Sequence, residues 1–132
     1  MILNPKELKP RILVVDDETD IAELVGSYLE GEGYEIFLST TGNEALDFIR
    51  YGRPHLVLLD VRMHGMGGLE VLEKIKEMDP RVGVLMITAL QDEDLGRQAL
   101  KLGASDFITK PINFEYLNHT IQYKLSAMLS DN

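Results

Sequence analysis

Cysteine is absent from the 132-residue sequence, so the chain forms no disulfide bond and offers no thiolate ligand to a metal ion. No apolar run approaches the roughly 20 residues that a membrane-spanning helix requires. The first ten residues, MILNPKELKP, also lack the apolar segment of a secretion signal. Together these absences predict a cytoplasmic protein that has no membrane partner.

Positive charge is scarce, because 13 Lys and Arg residues face 22 Asp and Glu residues, which leaves a formal net charge of −9. Binding to phosphate backbones relies on clustered Lys and Arg, so the sequence disfavours direct contact with nucleic acid or an anionic membrane. The length and the hydrophobic content of 45% fit one globular domain. We expect a loosely held leader at residues 1–10 and a single domain over residues 11–130.

Five short apolar runs alternate with five segments whose apolar residues recur at helical spacing. The predicted strands are Arg11–Asp16, Tyr34–Ser39, His55–Asp60, Val82–Thr88 and Asp106–Thr109. Asn43 is the predicted N-cap of the second helix, since Asn is favoured at that position. Regular alternation of strands and helices predicts an α/β domain with a parallel sheet, right-handed crossovers and helices on both faces.

Polar and charged residues stand where the predicted strands end. They are Asp16 with Asp17 at the end of the first strand, Asp60 at the end of the third, Thr88 at the end of the fourth with small Ala89 behind it, and Lys110 after the fifth. Ligands of open parallel sheets bind at this edge. Neighbouring carboxylates repel one another unless a cation lies among them, and Mg²⁺ prefers oxygen ligands. A carboxylate can also attack phosphorus to form an aspartyl-phosphate.

Several short motifs occur in order at these strand ends. They are Asp16-Asp17, Gly42-x-Glu44-Ala45-Leu46, Leu58-Leu59-Asp60 followed by Met63 and Gly68, Thr88-Ala89, Gly103-Ala104-x-Asp106-Phe107 and Lys110-Pro111. None of them is specific alone. As an ordered set over residues 11 to about 128, they resemble the receiver domain of two-component response regulators, including the small chemotaxis regulators.

This resemblance implies a flavodoxin-like, doubly wound sheet of five parallel strands in the order 2-1-3-4-5 with five helices. It also implies that Asp60 is the phosphoacceptor. Asp17 and Asp60 would bind Mg²⁺ through their carboxylates, Asp16 would bind it through a water molecule, and Arg62 would bind it through its backbone carbonyl. The magnesium ion is the one cofactor that the resemblance implies.

The resemblance further assigns the groups that would hold the phosphoryl group and respond to it. Thr88, Ala89 and Lys110 would bind the phosphoryl oxygens, and Thr88 with Phe107 would form the switch pair. The Lys110-Pro111 bond is a candidate cis peptide, a geometry that X-Pro bonds reach at low cost. Phosphorylation would then reshape the surface formed by the fourth helix, the fifth strand and the fifth helix.

The implied partners are a sensor histidine kinase or phosphotransfer protein as donor and an output domain or downstream protein as receiver of the signal. The sequence also allows a homodimer through the last two helices, since Arg97, Lys101, Glu115 and Lys124 offer both charge signs, although exposed pairs of this kind are weak evidence. Such a domain is not a turnover enzyme, although it assists its own phosphorylation and dephosphorylation.

Three alternative functions remain open from the sequence. The first is a receiver-like interaction module that works without phosphorylation. The second is a phosphatase with an aspartate nucleophile, although such enzymes of the haloacid dehalogenase type place a second Asp two positions after the nucleophile. The third is a flavodoxin that binds FMN, although no phosphate loop rich in Ser and Thr follows the first strand.

Some positions depart from the family pattern. His64 stands where Pro is usual, and Gly67 replaces a polar residue, so the loop after Asp60 has more backbone freedom. Arg62 and Leu90 offer no acid or amide to orient a water that would attack the phosphoryl group, which predicts a long-lived aspartyl-phosphate. If the acids crowd one another, replacing Asp17 with Asn should raise the melting temperature of the metal-free protein.

Overall fold

The computed structural model describes residues 9–130, so the first eight residues of the predicted leader lie outside the described residues. Five strands alternate with five helices, as the sequence predicts. In chain order they are β1 (Arg11–Val15), α1 (Thr19–Gly31), β2 (Glu35–Ser39), α2 (Gly42–Gly52), β3 (Leu56–Asp60), α3 (Gly68–Met78), β4 (Gly83–Thr88), α4 (Glu93–Lys101), β5 (Asp106–Thr109) and α5 (Phe114–Ser130). A 3₁₀ turn, Leu90–Asp92, leads into α4.

All neighbouring strands are parallel, and the sheet has the order β2-β1-β3-β4-β5, which confirms the predicted fold class. Register places the ends of the central strands side by side. Val15 of β1 is opposite Leu59 of β3, so the residues that follow them, Asp16 and Asp60, leave the sheet at the same level. In the same way, Thr88 of β4 is opposite Thr109 of β5. Lys110, the residue after Thr109, therefore lies beside the end of β4.

The core consists of two layers, one on each face of the sheet. Side chains from α1 and α5, such as Leu29 and Leu117, pack against one face. The other face is covered by α2, α3 and α4 through residues such as Ala45, Leu72 and Ala99. Every residue of β3 and β4 is buried, which explains their continuous apolar composition. Within the described range, none of the helices combines the length and apolar character needed to cross a membrane.

The start of α2 differs from the predicted one. The helix begins at Gly42, and its N-cap is Thr41, whose hydroxyl accepts a hydrogen bond of 3.1 Å from the Glu44 N–H. Asn43, the predicted cap, lies inside the first turn, where its side chain cannot cap the helix that contains it. Gly42 is the first residue of the helix, but Gly is a poor helix former, so the sequence pattern assigns it to the preceding loop and places the helix start too late.

Candidate functional site

Asp60 and Lys110 meet at the carboxyl edge of the sheet, where the sequence predicts them. Asp60 is the last residue of β3 and is only 6% exposed. Its Oδ2 atom lies 2.9 Å from the ammonium Nζ of Lys110, and its Oδ1 atom accepts a 3.0 Å hydrogen bond from the Arg62 N–H. Both carboxylate oxygens therefore have a donor, and charge-assisted bonds of this kind hold the carboxylate in one orientation.

Asp16 is the second buried acid of the site. Its Oδ1 atom accepts a hydrogen bond of 2.9 Å from the Glu18 N–H. Burial raises the pKa of Asp16 to about 6; the bond from Glu18 opposes that rise, and the negative charge of nearby Asp60 adds to it. The positive charge of Lys110 lowers the pKa by less than Asp60 raises it, so the charged form of Asp16 stays unfavourable in the fold.

Asp17 lies nearer the surface and is held by the loop that follows β3. Its Oδ2 atom accepts a 2.9 Å hydrogen bond from the His64 N–H and lies 2.7 Å from Nδ1 of the exposed His64 ring. The backbone bond from His64 is the main reason why the pKa of Asp17 lies below its usual value. This lowered pKa points away from Asp17 as the residue that carries the repulsion, whereas burial and Asp60 disfavour the charged form of Asp16. The effect of Asp17→Asn on stability stays a prediction.

The predicted magnesium ligands were tested against this geometry. Across residues 9–130, no three or more His, Cys, Asp or Glu side chains are arranged as a group that could hold a metal ion. The reason is that each acid faces a different donor: Asp16 the Glu18 N–H, Asp17 the His64 loop, and Asp60 its lysine. The donor chemistry nevertheless suits a hard divalent cation, because it consists of oxygen atoms with an excess of negative charge. The ligand set thus stays a prediction.

Thr88, at the end of β4, is fully buried, and its hydroxyl is engaged by the turn that follows the strand. The Oγ1 atom donates to the backbone carbonyls of Asp92, at 3.1 Å, and Ala89, at 3.3 Å. The hydroxyl predicted to bind a phosphoryl group is thus bonded to backbone in this conformation. On the neighbouring strand, the peptide bond between Lys110 and Pro111 is cis, as predicted.

Phe107, the other predicted switch residue, lies on β5 and is partly buried beneath α4. Its ring fills the space beside Gly96, where an added Cβ would lie 2.7 Å from a ring carbon. A glycine within a nine-residue helix is otherwise unfavourable by about 1 kcal/mol relative to alanine. Gly96 therefore provides the space that the ring occupies, a role that sequence periodicity does not reveal.

The sequence reading also missed an ion pair between Arg62 and Asp92. The Nη2 atom of Arg62 lies 2.8 Å from Asp92 Oδ1, and Nε donates to the other carboxylate oxygen. The two residues are 30 positions apart and lie in different loops, so no local pattern relates them. The only sequence signal is an arginine two positions after Asp60 and an acid four positions after Thr88.

Comparison with known proteins places this geometry in a family. Residues 12–122 match the response regulator receiver domain. Sporulation initiation phosphotransferase F of Bacillus subtilis is 33% identical over 115 residues, which cover 87% of this chain and 93% of that protein. Transcriptional regulatory protein ZraR of Escherichia coli K12 is 38% identical over 115 residues, again 87% of this chain, but the chain spans only 26% of that longer protein.

Solved structures agree with the sequence matches. The CheY-like receiver domain protein of Methanospirillum hungatei JF-1 superimposes with a TM-score of 0.86 at 33% identity, over 95% of this chain and 100% of that one. Receiver domains accept phosphoryl groups, generally depend on Mg²⁺ for phosphorylation, and interact with histidine kinases and output domains. The matched residues, the sheet order and the sequence identities show that this chain belongs to the response regulator receiver domain family of two-component signalling proteins.

Proposed function

We propose that Asp60 of this chain accepts a phosphoryl group from a sensor histidine kinase or a phosphotransfer protein. One observation carries the proposal: Asp60 is a buried carboxylate at a strand end, and the ammonium of Lys110 lies 2.9 Å from one of its oxygens. A rigid, fully buried strand delivers the acid to the edge of the sheet where ligands of this fold class bind.

The residues around Asp60 suit nucleophilic attack on phosphorus. An oxygen of Asp60 forms the new O–P bond, while the P–N bond of a phosphohistidine donor breaks and its electron pair stays with the imidazole. Lys110 would neutralise charge on the phosphoryl oxygens during transfer. Such positioning and charge neutralisation supply most of the catalysis in phosphoryl transfer.

Magnesium is the cofactor proposed for this chemistry. The carboxylates of Asp17 and Asp60 and the backbone carbonyl of Arg62 would hold the ion, and Asp16 would contact it through a water molecule. When bound, it supplies charge neutralisation at the phosphoryl oxygens. Burial is the main reason why the pKa of Asp16 is raised to about 6, and the negative charge of Asp60 adds to it; a cation would relieve that repulsion, which supports the assignment.

The proposed output is a change of the surface formed by α4, β5 and α5. A phosphoryl group on Asp60 would offer the Thr88 hydroxyl a charged acceptor in place of the Asp92 carbonyl that it bonds now. Phe107 would then change its packing against α4, where Gly96 gives it space. An output domain or downstream protein that contacts this surface would read the change in a two-state manner.

A homodimer through α4 and α5 is part of the same proposal. Arg97 and Lys124, which the sequence suggests as interface charges, bind Asp94 and Asp106 of their own chain at 2.8 and 3.7 Å. A dimer would therefore depend less on these charges than the sequence suggests. We place the protein in the cytoplasm and regard it as a signalling domain without catalytic turnover.

The test uses acetyl phosphate with Mg²⁺ and measures phosphorylation by intact mass. The wild-type protein should gain one phosphoryl group, and Asp60→Asn should gain none. Asp47→Asn, an exposed acid on α2, is the matched control and should be labelled as the wild type is. A label that persists in Asp60→Asn contradicts the assignment. No labelling of the wild type would favour a phosphorylation-independent module, and turnover of a phosphomonoester would favour a phosphatase.

A further inference from the structure

The ion pair between Arg62 and Asp92 connects the two loops that border the site. Arg62 lies two residues after Asp60, and Asp92 is the last residue of the 3₁₀ turn that leads into α4. The guanidinium donates to both oxygens of the carboxylate, with Nη2 at 2.8 Å from Oδ1. Two parallel bonds of this kind fix the relative orientation of both groups.

The two partners differ greatly in exposure. The Asp92 side chain is only 6% exposed, whereas the Arg62 side chain is 72% exposed. The hydrogen bond from Arg62 holds the pKa of Asp92 below its usual value. Because an enclosed carboxylate is unfavourable without a partner, Asp92 would turn outward if the guanidinium left. The pair therefore holds the 3₁₀ turn against the body of the domain.

Asp92 also contacts the switch threonine, through a different atom. Its backbone carbonyl accepts the hydrogen bond of 3.1 Å from Thr88 Oγ1. The carboxylate is thus tied to the loop after Asp60, while the carbonyl of the same residue occupies the Thr88 hydroxyl. A movement of the backbone at Asp92 would displace both contacts together, because both are made by one residue.

We propose that the ion pair between Arg62 and Asp92 is a latch that keeps the Thr88 hydroxyl on the Asp92 carbonyl and so opposes the phosphorylated conformation. Arg62 and Asp92 are positioning residues in this scheme, since they act through Thr88. The inference rests on the proposed function, because it assigns a regulatory role at the same site. Opening the latch shifts the population toward the form in which Thr88 is free to bind a phosphoryl oxygen.

The experiment titrates the 132-residue chain with beryllofluoride, a stable mimic of the phosphoryl group, at fixed Mg²⁺. Arg62→Met keeps the backbone carbonyl of position 62, and Asp92→Asn keeps the carbonyl that binds Thr88. Each single variant should bind beryllofluoride about fivefold more tightly than the wild type. The double variant should gain no more than either single one, since both changes open the same latch.

Simple electrostatics and the latch predict opposite changes in the beryllofluoride affinity of Arg62→Met, so this variant distinguishes the two explanations. Arg62→Met removes a positive charge beside an anionic ligand, so charge alone would weaken binding. The latch predicts tighter binding for the same variant. Glu93→Gln is the matched control, because it removes a negative charge next to Asp92 from a side chain that pairs with Arg97. This control should bind beryllofluoride with wild-type affinity.

Amide NMR spectra provide a readout that a purely structural pair would not move. In both ligand-free variants, the Thr88 and Gly96 resonances should shift part of the way toward their positions in the beryllofluoride-bound wild type. Unchanged affinity with only a lower melting temperature overturns the latch, and so do additive effects in the double variant. If the wild type itself neither binds beryllofluoride nor accepts a phosphoryl group, the proposed function fails and the latch with it.

Discussion

Lys76 and Lys110 are partly buried lysines at opposite ends of the same sheet. The ammonium of Lys76 donates to the backbone carbonyls of Val82, at 2.7 Å, and Pro80, at 3.3 Å, just before β4 begins. The ammonium of Lys110 lies beyond the carboxyl end of β5 and binds the carboxylate of Asp60 at 2.9 Å. One lysine thus has neutral acceptors and the other has a charged one.

The pKa values of the two lysines shift in opposite directions as a result. Burial lowers the pKa of Lys76, and the negative charge of Asp79 offsets only part of that effect. Burial alone would also lower the pKa of Lys110, but the bond and charge of Asp60, with the charge of Asp16, raise it above its usual value. At the amino end the lysine bonds neutral backbone carbonyls, whereas at the carboxyl end it neutralises the acids of the proposed site.

The largest effect is expected at the carboxyl end, where the loop after β3 closes directly on the strand. A Cβ on Gly68 would lie 2.3 Å from the Asp60 carbonyl and 2.7 Å from the Val61 Cα, both backbone atoms. Gly68→Ala should therefore lower the free energy of unfolding by more than about 3 kcal/mol. Gly67→Ala is the control, since no atom lies within 4 Å of its added Cβ. Chemical denaturation measures both, and equal stabilities would contradict this account of the loop.

Exchanging each lysine for methionine tests the comparison directly. Lys110→Met should slow labelling by acetyl phosphate about a hundredfold, because it removes a preorganised positive charge from the reacting group. Lys76→Met should lower stability by about 1 kcal/mol through lost bonds to the two carbonyls, with unchanged labelling. Intact-mass time courses and thermal unfolding separate the two effects. Slow labelling in Lys76→Met would contradict the view that only the lysine at the carboxyl end of the sheet takes part in phosphoryl transfer.

Asp16 gives the carboxyl end a characteristic dependence on pH. Its pKa of about 6 in the fold exceeds the ordinary value of 3.8, so between these values the metal-free folded protein binds more protons than the unfolded chain. The contribution of Asp16 to stability is therefore greatest below pH 3.8 and is lost as the pH rises through 6. Asp16→Asn should raise metal-free stability at pH 7 by about 2 kcal/mol, with little difference from the wild type near pH 4.

Asp17→Asn is the control for that prediction. The pKa of Asp17 is lowered by its bonds from His64, so this variant loses a favourable interaction and should not gain stability at pH 7. Denaturation curves without metal and with Mg²⁺ complete the test. Asp16→Asn should also weaken the extra stability that Mg²⁺ gives by binding the native state. If Asp17→Asn is more stable than the wild type, the repulsion acts on Asp17, as the sequence suggested, and not on Asp16.

The smallest effect is expected at Gly96, where the carboxyl end meets the proposed output surface. Gly96→Ala gains helix propensity but displaces the Phe107 ring, so its net change in stability should stay within about 1 kcal/mol. The ring resonances of Phe107 should shift clearly in NMR spectra. Gly31→Ala, at the end of α1 with no atom within 4 Å of its Cβ, should leave those resonances unchanged. Unmoved ring signals in Gly96→Ala would show that the ring does not depend on this space.

Much of the fold follows from local patterns. Short apolar runs and helical spacing predict the ten elements, and β3 needs little more than LVLLD to be recognised as a doubly buried strand. The first and last residues of a helix are harder to predict than the helix itself, because the choice of capping residue depends on a single hydrogen bond. Thr41 and Asn43 have similar capping ability, and only the position of the first helical turn makes Thr41 the cap.

The sequence by itself determined which groups stand at the strand ends, because a parallel sheet brings all carboxyl ends to one edge. Asp60, Thr88 and Lys110 are therefore found where they were predicted. Only the tertiary structure decided how these groups share their charge. Adjacent Asp16 and Asp17 have opposite pKa shifts because one is buried and the other accepts bonds from a distant loop. Burial and long-range pairing depend on residues far apart in the chain, and local sequence does not encode such distances.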